Sequence, residues 1–268
     1  MDITWYGNAS VRIRIDGLSL LFDPFLPLPG AAYSLSADQL LPAPNILITH
    51  GHLDHLASVP ELVSLGAGMV YATSRPCQTL EQQAVPAAVL HQISPGDKLR
   101  FEISGDLGDG TDDAVTVSVL PGKHIVFDTL LVLRTLLNPR VLRFMHNVPG
   151  IIRTNRAFTE SHETVHYEIA YAGQRIMLMG SLGLADEEVY EQGVDLLVLP
   201  YQGHTHLERL ALPVVERLMP RRVLLDHFDD AFPPVSRSID TSGFVSLMAR
   251  LHPDIECIVP QRFAVMEL

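Results

Sequence analysis

Four potential metal ligands lie within six residues, in the run His50-Gly51-His52-Leu53-Asp54-His55. The run directly follows an apolar segment, residues 45–49, which has the composition of a short buried strand. Imidazoles two residues apart can point the same way on an extended or loop backbone before the chain turns into a helix. A chance His-x-His-x-Asp-His match in such a chain is on the order of one in a thousand. The pattern therefore predicts a strand that ends in a metal site, rather than a solvated polar loop.

Strands and helices are predicted to alternate along the chain, which is the pattern of a layered α/β protein. The first strands form a meander, because the pairs Gly7-Asn8 and Asp16-Gly17 are typical hairpin breaks. Strands are predicted at residues 3–6, 11–15, 19–22, 45–49, 69–73, 87–91, 99–103, 115–120, 164–171, 175–179, 195–200, 222–226, 256–259 and 263–266. Helices are predicted at residues 58–65 and 76–83, within 207–218, and near 241–251.

Two segments depart from this alternation. Residues 106–113 are acidic and Gly-rich, which favours an exposed turn. Residues around 127–158 carry apolar side chains at helical spacing beside several arginines, and we interpret them as a helical insertion. The insertion could be a lid over the metal, a dimer face or a surface for an acyl chain.

The composition restricts the class of protein. With 268 residues and 47% hydrophobic content, the chain can bury a large core, and we expect one domain over residues 1–268. A formal net charge of −12 repels polyanions, so no nucleic-acid partner is expected. Cys77 and Cys257 are the only cysteines, so a metal must rely on His and carboxylate ligands. No basic leader and no long apolar run is present, which predicts a cytoplasmic protein without a membrane span.

A complete metal site needs ligands from elsewhere in the fold, because one short run rarely surrounds an ion. Two further histidines follow predicted strands. His124 comes after the strand at 115–120, and His227 comes directly after the strand at 222–226. We therefore expect these two imidazoles to join the His-rich run.

Two further segments complete a family resemblance. They are Trp5-Tyr6-Gly7-Asn8-Ala9-Ser10 and Leu21-Phe22-Asp23-Pro24-Phe25. With the His-rich run, they resemble the metallo-β-lactamase superfamily, particularly the branch similar to L-ascorbate-6-phosphate lactonase. The resemblance covers nearly the whole chain and implies a four-layer αββα sandwich. It also implies that His50, His52 and His124 form one metal site, while Asp54, His55 and His227 lie at a second.

The chain departs from the family pattern at two positions. Ser181 stands where the family usually has a bridging Asp, and Asn8 replaces the branch's usual His. A neutral hydroxyl is a much poorer ligand than a carboxylate, so we predict a weak or empty second site. Asp226, Asp229 or Asp230 could compensate, although the orientation of a ligating His is the commoner task of such a carboxylate.

Other polar residues have two possible roles. His204 could act as a general acid or anion-binding donor, or it could belong to a helix-capping segment with Thr205 as the N-cap. Lys123 could contact a substrate anion, although a solvated lysine is the commoner outcome. Three further histidines are predicted not to bind metal because nothing fixes their spacing: His146, His162 and His166.

These observations predict a metal-dependent hydrolase that uses a metal-activated water on a small ester, lactone or phosphorylated substrate. Asp54 is expected to orient the nucleophile or accept its proton. Zinc is the default ion, with one firmly expected and a second uncertain, while manganese, iron and nickel are alternatives. A phosphodiesterase or nuclease on the same fold and a catalytically quiet metal-binding protein are the competing interpretations; a di-iron redox centre fits less well. The chain could also form a homo-oligomer.

Overall fold

A computed structural model of the chain describes residues 1–103, 114–126, 135, 137–158 and 162–268. Within these residues, two seven-stranded sheets are present. The first sheet has the strand order β14-β1-β2-β3-β4-β5-β6. Its strands are β1 (Asp2–Gly7), β2 (Ser10–Ile15), β3 (Leu18–Phe22), β4 (Asn45–Leu47), β5 (Met69–Ala72), β6 (Leu90–Gln92) and β14 (Val265–Glu267).

The second sheet has the strand order β13-β12-β11-β10-β9-β8-β7. Its strands are β7 (Lys98–Glu102), β8 (Ala114–Pro121), β9 (Val165–Tyr171), β10 (Gln174–Leu178), β11 (Leu196–Pro200), β12 (Arg222–Asp226) and β13 (Glu256–Ile258). Both sheets are mixed, with antiparallel pairs on one side and parallel pairs on the other.

The described helices fall into an early and a late group along the chain. The early helices are α1 (Ala37–Leu40), α2 (Leu53–Leu56), α3 (Val59–Ser64) and α4 (Ser74–Gln82), followed by a 3₁₀ turn at Ala87–Val89. The later helices are α5 (Arg140–Arg143), α6 (Val148–Ala157), α7 (Leu207–Leu218) and α8 (Ser242–Leu251). Among the residues placed in the structure, no helix reaches the length and apolarity that a bilayer crossing needs.

Three apolar clusters hold these layers together. On β3, Leu20 and Phe22 join the cluster between the two sheets, while Leu21 faces α1–α4, as the two-residue repeat of a strand requires. The third cluster packs the second sheet against α7 and α8. The layer order is therefore helix, sheet, sheet, helix, and the predicted α/β sandwich is confirmed.

The strands that precede the candidate ligands end at one edge of the sandwich. In the first sheet, β3 and β4 pair in parallel. In the second sheet, β10, β11 and β12 pair in parallel, and β8 runs the same way because β8 and β10 are both antiparallel to β9. Loops that follow these strands consequently meet, as expected for the carboxyl ends of parallel strands.

The structure describes only part of the predicted insertion. Residues 127–134 and 136 lie outside the described part of the chain, whereas α5 and α6 confirm helical structure over part of the remainder. Asn147 joins these helices to the body, because its Nδ2 donates to the carbonyls of Pro29 and Pro233 at 2.9 Å each. Arg140 adds an ion pair with Asp230.

Most predicted elements are observed with end shifts of one or two residues, which is ordinary for helix and strand termini. The strand predicted at 87–91 is the largest error. Residues 87–89 form a 3₁₀ turn, and pairing with β5 begins only at Leu90. The turn predicted at 106–113 lies outside the described residues.

Candidate metal centre

The His-rich run lies in the loop after β4 and in the one-turn helix α2. His52 occupies the N-cap of α2 with an extended backbone. Leu53 and Leu56 anchor this turn, because both are buried in the cluster between the helices and the first sheet. Asp54 and His55 are buried on the same turn. The two buried leucines thus hold the His-rich run at the edge of the sandwich where the other ligand-bearing loops lie.

A first group of three imidazoles, which we call the first trio, comprises His50, His52 and His124. Nε2 of His50 lies 3.1 Å from Nδ1 of His52. The ring centroid of His124 lies 4.9 Å from that of His50 and 4.6 Å from that of His52. One ligand atom from each of the three lies within 4.8 Å of the other two. His124 arrives from the loop after β8, so this trio joins the two sheets.

Hydrogen bonds fix the protonated nitrogen of two of these imidazoles. The Thr49 hydroxyl lies 2.6 Å from Asp23 Oδ2 and 3.0 Å from His50 Nδ1. Because its single proton goes to the carboxylate, the hydroxyl accepts from His50 Nδ1–H. His124 Nδ1 lies 2.7 Å from the carbonyl of Ile125, which can only accept. Both rings therefore keep an unprotonated Nε2, the arrangement that metal-ligating histidines show.

The second trio comprises Asp54, His55 and His227. Asp54 Oδ2 lies 3.1 Å from His227 Nε2 and 3.8 Å from His55 Nε2. His55 Nδ1 lies 2.9 Å from Asp23 Oδ2, although its N–H points too far off that line for a hydrogen bond. The ring centroids of His50 and His55 are 4.0 Å apart, so the two trios adjoin. Asp23 therefore supports both trios, through Thr49 on one side and beside His55 on the other.

Burial and mutual charges shift the pKa values in this cluster. Burial, followed by the neighbouring imidazoles, holds the pKa of His50 well below its usual range. Burial acts to raise the pKa of Asp54, but His55 and His227 outweigh it and the pKa lies below its usual range. Burial opposes the charge of His227, yet its hydrogen bond to Asp54 raises the pKa. In the first trio the His50 ring is thus held neutral, while Asp54 and His227 of the second trio favour a charged pair.

Asn8 fixes the backbone of the second trio. Its Nδ2 donates to the Asp54 carbonyl at 2.7 Å, and its own carbonyl accepts from the His227 N–H at 2.9 Å. Asp229 Oδ1 in turn accepts from the Asn8 N–H at 2.9 Å. His227 lies in the left-handed region with φ of 56°. Asn8 therefore holds two candidate ligands that are far apart in sequence.

Ser181 lies in the loop after β10 and lines the same cavity as the trios. Its Oγ accepts from the Ile125 N–H at 3.0 Å, next to His124. A Cβ added at Gly180 would lie 2.5 Å from Cβ of Thr49, so this loop packs tightly against the loop of His50. Ser181, which replaces the family's carboxylate, consequently contacts the backbone of Ile125, the residue next to His124.

His166 forms hydrogen bonds to the backbone of the Ser181 loop on both sides of Ser181. Its Nδ1 accepts from the Gly180 N–H at 3.0 Å, and its Nε2–H donates to the Gly183 carbonyl at 2.9 Å. Burial lowers the pKa of His166 to about 4, so the ring is neutral. His166 is a supporting residue that the sequence did not reveal, because its partners are backbone groups of another strand end.

The three acidic candidates, one at the end of β12 and two in the segment after it, lie outside both trios. Asp229 forms an ion pair with Arg262 at 3.3 Å, and Asp230 pairs with Arg140. Asp226 is buried, and its Oδ1 has no hydrogen-bond partner among the described residues. Burial raises the pKa of Asp226 to about 8.

The remaining sequence candidates are distributed around the site. The prediction of Thr205 as an N-cap is wrong, because α7 begins at Leu207 with His206 at the N-cap. His204 lines the same cavity as the trios, and its Nδ1 accepts from the His206 N–H at 2.9 Å. Lys123 Nζ lies 2.7 Å from Asp186 Oδ2 at the surface. His146 and His162 do not line the cavity.

The trios lie in a cavity of about 400 Å³. The insertion covers one side with Thr135, Ile151, Ile152 and Asn155. The other walls are mostly apolar: Ile125, Leu182, Phe232, Val235 and Ile239. A chamber of this size, with polar groups converging at one place, has the character of a small-molecule site.

Comparison with known proteins places this geometry in context. The family model of the beta-lactamase superfamily domain matches residues 19–228. A "UPF0173 metal-dependent hydrolase" of Ligilactobacillus salivarius is 24% identical over 249 residues, which cover 90% of each chain. One from Methylocella silvestris is 28% identical over 97 residues, 36% of this chain and only 40% of the relative's length.

The fold also resembles solved structures. Igni18, described as a novel metallo hydrolase from Ignicoccus hospitalis, superposes with a TM-score of 0.64 at 17% identity. The superposition covers 100% of this chain and 98% of the Igni18 chain. At this level of identity, the likeness concerns the fold alone.

Proposed function

Because the chain belongs to the metallo-β-lactamase superfamily, we propose that it is a metal-dependent hydrolase of small molecules. The single observation that carries this proposal is the pair of adjoining trios at one end of a mostly apolar cavity. The two relatives described above, both called metal-dependent hydrolases, support the same activity.

The donor atoms fit a divalent cation. Two nitrogen ligands on one tetrahedral zinc ion lie about 3.3 Å apart, since each Zn–N bond is about 2.0–2.1 Å long. His50 Nε2 and His52 Nδ1 are 3.1 Å apart, which is close to that separation. The second trio adds a carboxylate oxygen to two imidazoles. We propose zinc as the first ion to test, followed by manganese, iron and nickel.

A bound cation would supply Lewis-acid polarisation of the substrate and activation of a water molecule. The chain's own residues position the other participants. Asp54 is held as a carboxylate by the adjacent imidazoles, so it can orient the nucleophile by accepting a hydrogen bond from it. His204 accepts a backbone hydrogen bond at Nδ1, which leaves Nε2 as the ring's donor nitrogen. Because His204 lines the cavity, we propose it as the donor to a leaving-group oxygen.

For the substrate, we propose an ester, a lactone or a phosphorylated small molecule. The resemblance to the L-ascorbate-6-phosphate lactonase branch supports the last two, and it is an argument from family likeness. A cavity of about 400 Å³ accommodates one small molecule. A net charge of −12 disfavours a polyanionic nucleic acid.

Metal content and a hydrolysis screen test the proposal together. The protein is loaded with zinc, its metal is quantified by mass spectrometry, and 4-nitrophenyl acetate, δ-valerolactone and bis(4-nitrophenyl) phosphate are offered. We expect hydrolysis of at least one substrate, and we expect EDTA to abolish it. Preference for the phosphodiester would favour the phosphodiesterase alternative.

The quiet metal-binding alternative keeps one specific observation in its favour, which is Ser181 in place of the family's carboxylate. Tightly bound metal without turnover of any of the three substrates would support it. A zinc-free preparation that hydrolyses them at the same rate would contradict both interpretations.

A further inference from the structure

Arg237 is the single Arg or Lys among the described residues that line the metal cavity. It lies in the segment that follows β12 and His227. The backbone of this segment is held on both sides: the Ile239 N–H donates to the Phe228 carbonyl at 2.7 Å, and Gln202 Nε2 lies 3.4 Å from the Arg237 carbonyl. Arg237 therefore starts from a fixed position on the cavity wall.

The guanidinium of Arg237 is poorly satisfied. Within the described residues, its side chain has one hydrogen bond, a long one of 3.4 Å from Nη2 to Thr135 Oγ1. Its Nε is buried and has no partner there. A guanidinium presents five N–H donors in a planar fork, and an unsatisfied buried donor carries a desolvation cost. The side chain thus has donors to spare beside the cavity.

Arg237 also differs from two nearby arginines in its ion pairing. Arg140 pairs with Asp230 and Arg262 pairs with Asp229. No carboxylate in the described part of the chain lies within ion-pair distance of Arg237.

We propose that Arg237 binds an anionic group of the substrate, a carboxylate, sulfonate or phosphate, and that the adjoining apolar wall binds the body of the same molecule. This inference rests on the proposed hydrolase function and names its substrate class. A planar guanidinium matches two anion oxygens at once, which gives orientation as well as attraction. Phe232, Val235 and Ile239 flank Arg237 in sequence and line the same cavity. They supply the apolar surface beside the anion site.

Binding of 1-hexanesulfonate to the zinc-loaded protein tests the inference, with 1-hexanol as the neutral probe of equal chain length. Sulfonate is a weak metal ligand, so its binding reports on the guanidinium more than on the ion. Isothermal titration calorimetry is expected to show at least tenfold tighter binding of the sulfonate. R237Q should lose that preference, while R237K should recover part of it, because charge is kept but the fork is lost.

The matched control is R221Q. Arg221 is an exposed arginine that pairs with Asp195 at 3.1 Å. It lies just before the start of β12, whereas His227 follows the end of that strand. R221Q should bind the sulfonate as the wild type does. A thermal melt of each variant within a few degrees of the wild type excludes unfolding as the cause.

A second readout separates this inference from the proposed function. Mono-(4-nitrophenyl) adipate and 4-nitrophenyl hexanoate have the same chain length, but only the adipate ends in a carboxylate. We expect R237Q to lower kcat/KM for the adipate about tenfold or more, mainly through KM, and to change the hexanoate less than threefold.

Each result has a defined meaning. Failure of the wild type to hydrolyse either ester, with sulfonate binding still lost in R237Q, would count against the hydrolase and support the anion site. Equal sulfonate binding by R237Q and the wild type would overturn the inference, as would equal wild-type affinity for the sulfonate and the alcohol.

Discussion

The two trios take their ligands from the same short run, yet they are built differently. The first trio consists only of imidazoles, and two of its rings have hydrogen bonds that leave Nε2 unprotonated. The second contains a carboxylate held against His227, whose Nδ1 has no partner among the described residues. The first trio is therefore preorganised for a cation, whereas the second is already balanced by its own charges. This difference predicts that the first trio binds metal more tightly.

The largest expected effect comes from H50A set against H227A. The H50A substitution removes a prearranged neutral ligand from the first trio. We therefore expect zinc affinity and turnover to fall by at least about 1000-fold, so that the first trio effectively no longer binds zinc. H227A should reduce zinc affinity less and leave one ion bound. Competition with a fluorescent chelator measures both affinities, and H91A, on the exposed histidine of β6, is the matched control. Equal losses in the two variants would contradict the asymmetry.

A smaller effect is expected from D23N, which acts on both trios at once. Asn cannot accept from Thr49 and attract His55 as a carboxylate does, so both trios lose orientation. Such supporting carboxylates change metal affinity by about 10- to 100-fold. The same chelator titration should show weakening at each site. An effect confined to one of the two sites would indicate that the trios are supported independently.

S181D would test whether the missing carboxylate explains the weaker second trio. The added negative charge should compensate a second cation, and we expect the zinc content to rise from about one to about two ions per chain. Inductively coupled plasma mass spectrometry after dialysis measures this, with S181N as the isosteric neutral control. If the wild type already binds two zinc ions per chain, Ser181 does not weaken the second site and this prediction is wrong.

The smallest effect concerns stability and comes from a histidine outside both trios. His166 has a folded pKa of about 4 against an ordinary value of 6.5. The contribution of neutral His166 to the free energy of unfolding is therefore full above pH 6.5. It is lost as the pH falls toward 4, because the unfolded chain binds the proton at a higher pH than the folded chain does. The full shift corresponds to about 3 kcal/mol. Urea unfolding of the wild type and H166Q between pH 7 and 4 should show a flatter pH dependence in the variant; parallel curves would refute this assignment.

The layered α/β class and the candidate ligands could be predicted from local signals in the sequence, whereas the four-layer sandwich and the division of the ligands into two sites were implied by the family resemblance. Alternation along β3 and the ligand spacing after β4 can be read within a few residues, and the positions of His124 and His227 follow from strand ends. The assignment of these residues as metal ligands stays a prediction until an ion is measured.

The supporting contacts could not be read in the same way. Asp23 meets Thr49 across 26 positions, Asn8 meets Asp54 across 46, and His166 is satisfied by backbone groups that carry no sequence signal. Arg237 likewise resembles any surface arginine until its neighbours are known. These roles arise only when separate loops converge.

The insertion has a consequence for how such an enzyme diversifies. Its described cavity residues lie between residues 135 and 155. Hydrogen bonds of Asn147, the ion pair of Arg140 and the packing of Ile151 are among the contacts that join this stretch to the body. No residue of either trio belongs to that stretch. Replacement of this one segment would therefore remodel the chamber while the reaction centre stays as it is, so new substrates are accessible to the fold through exchange of a single piece of chain.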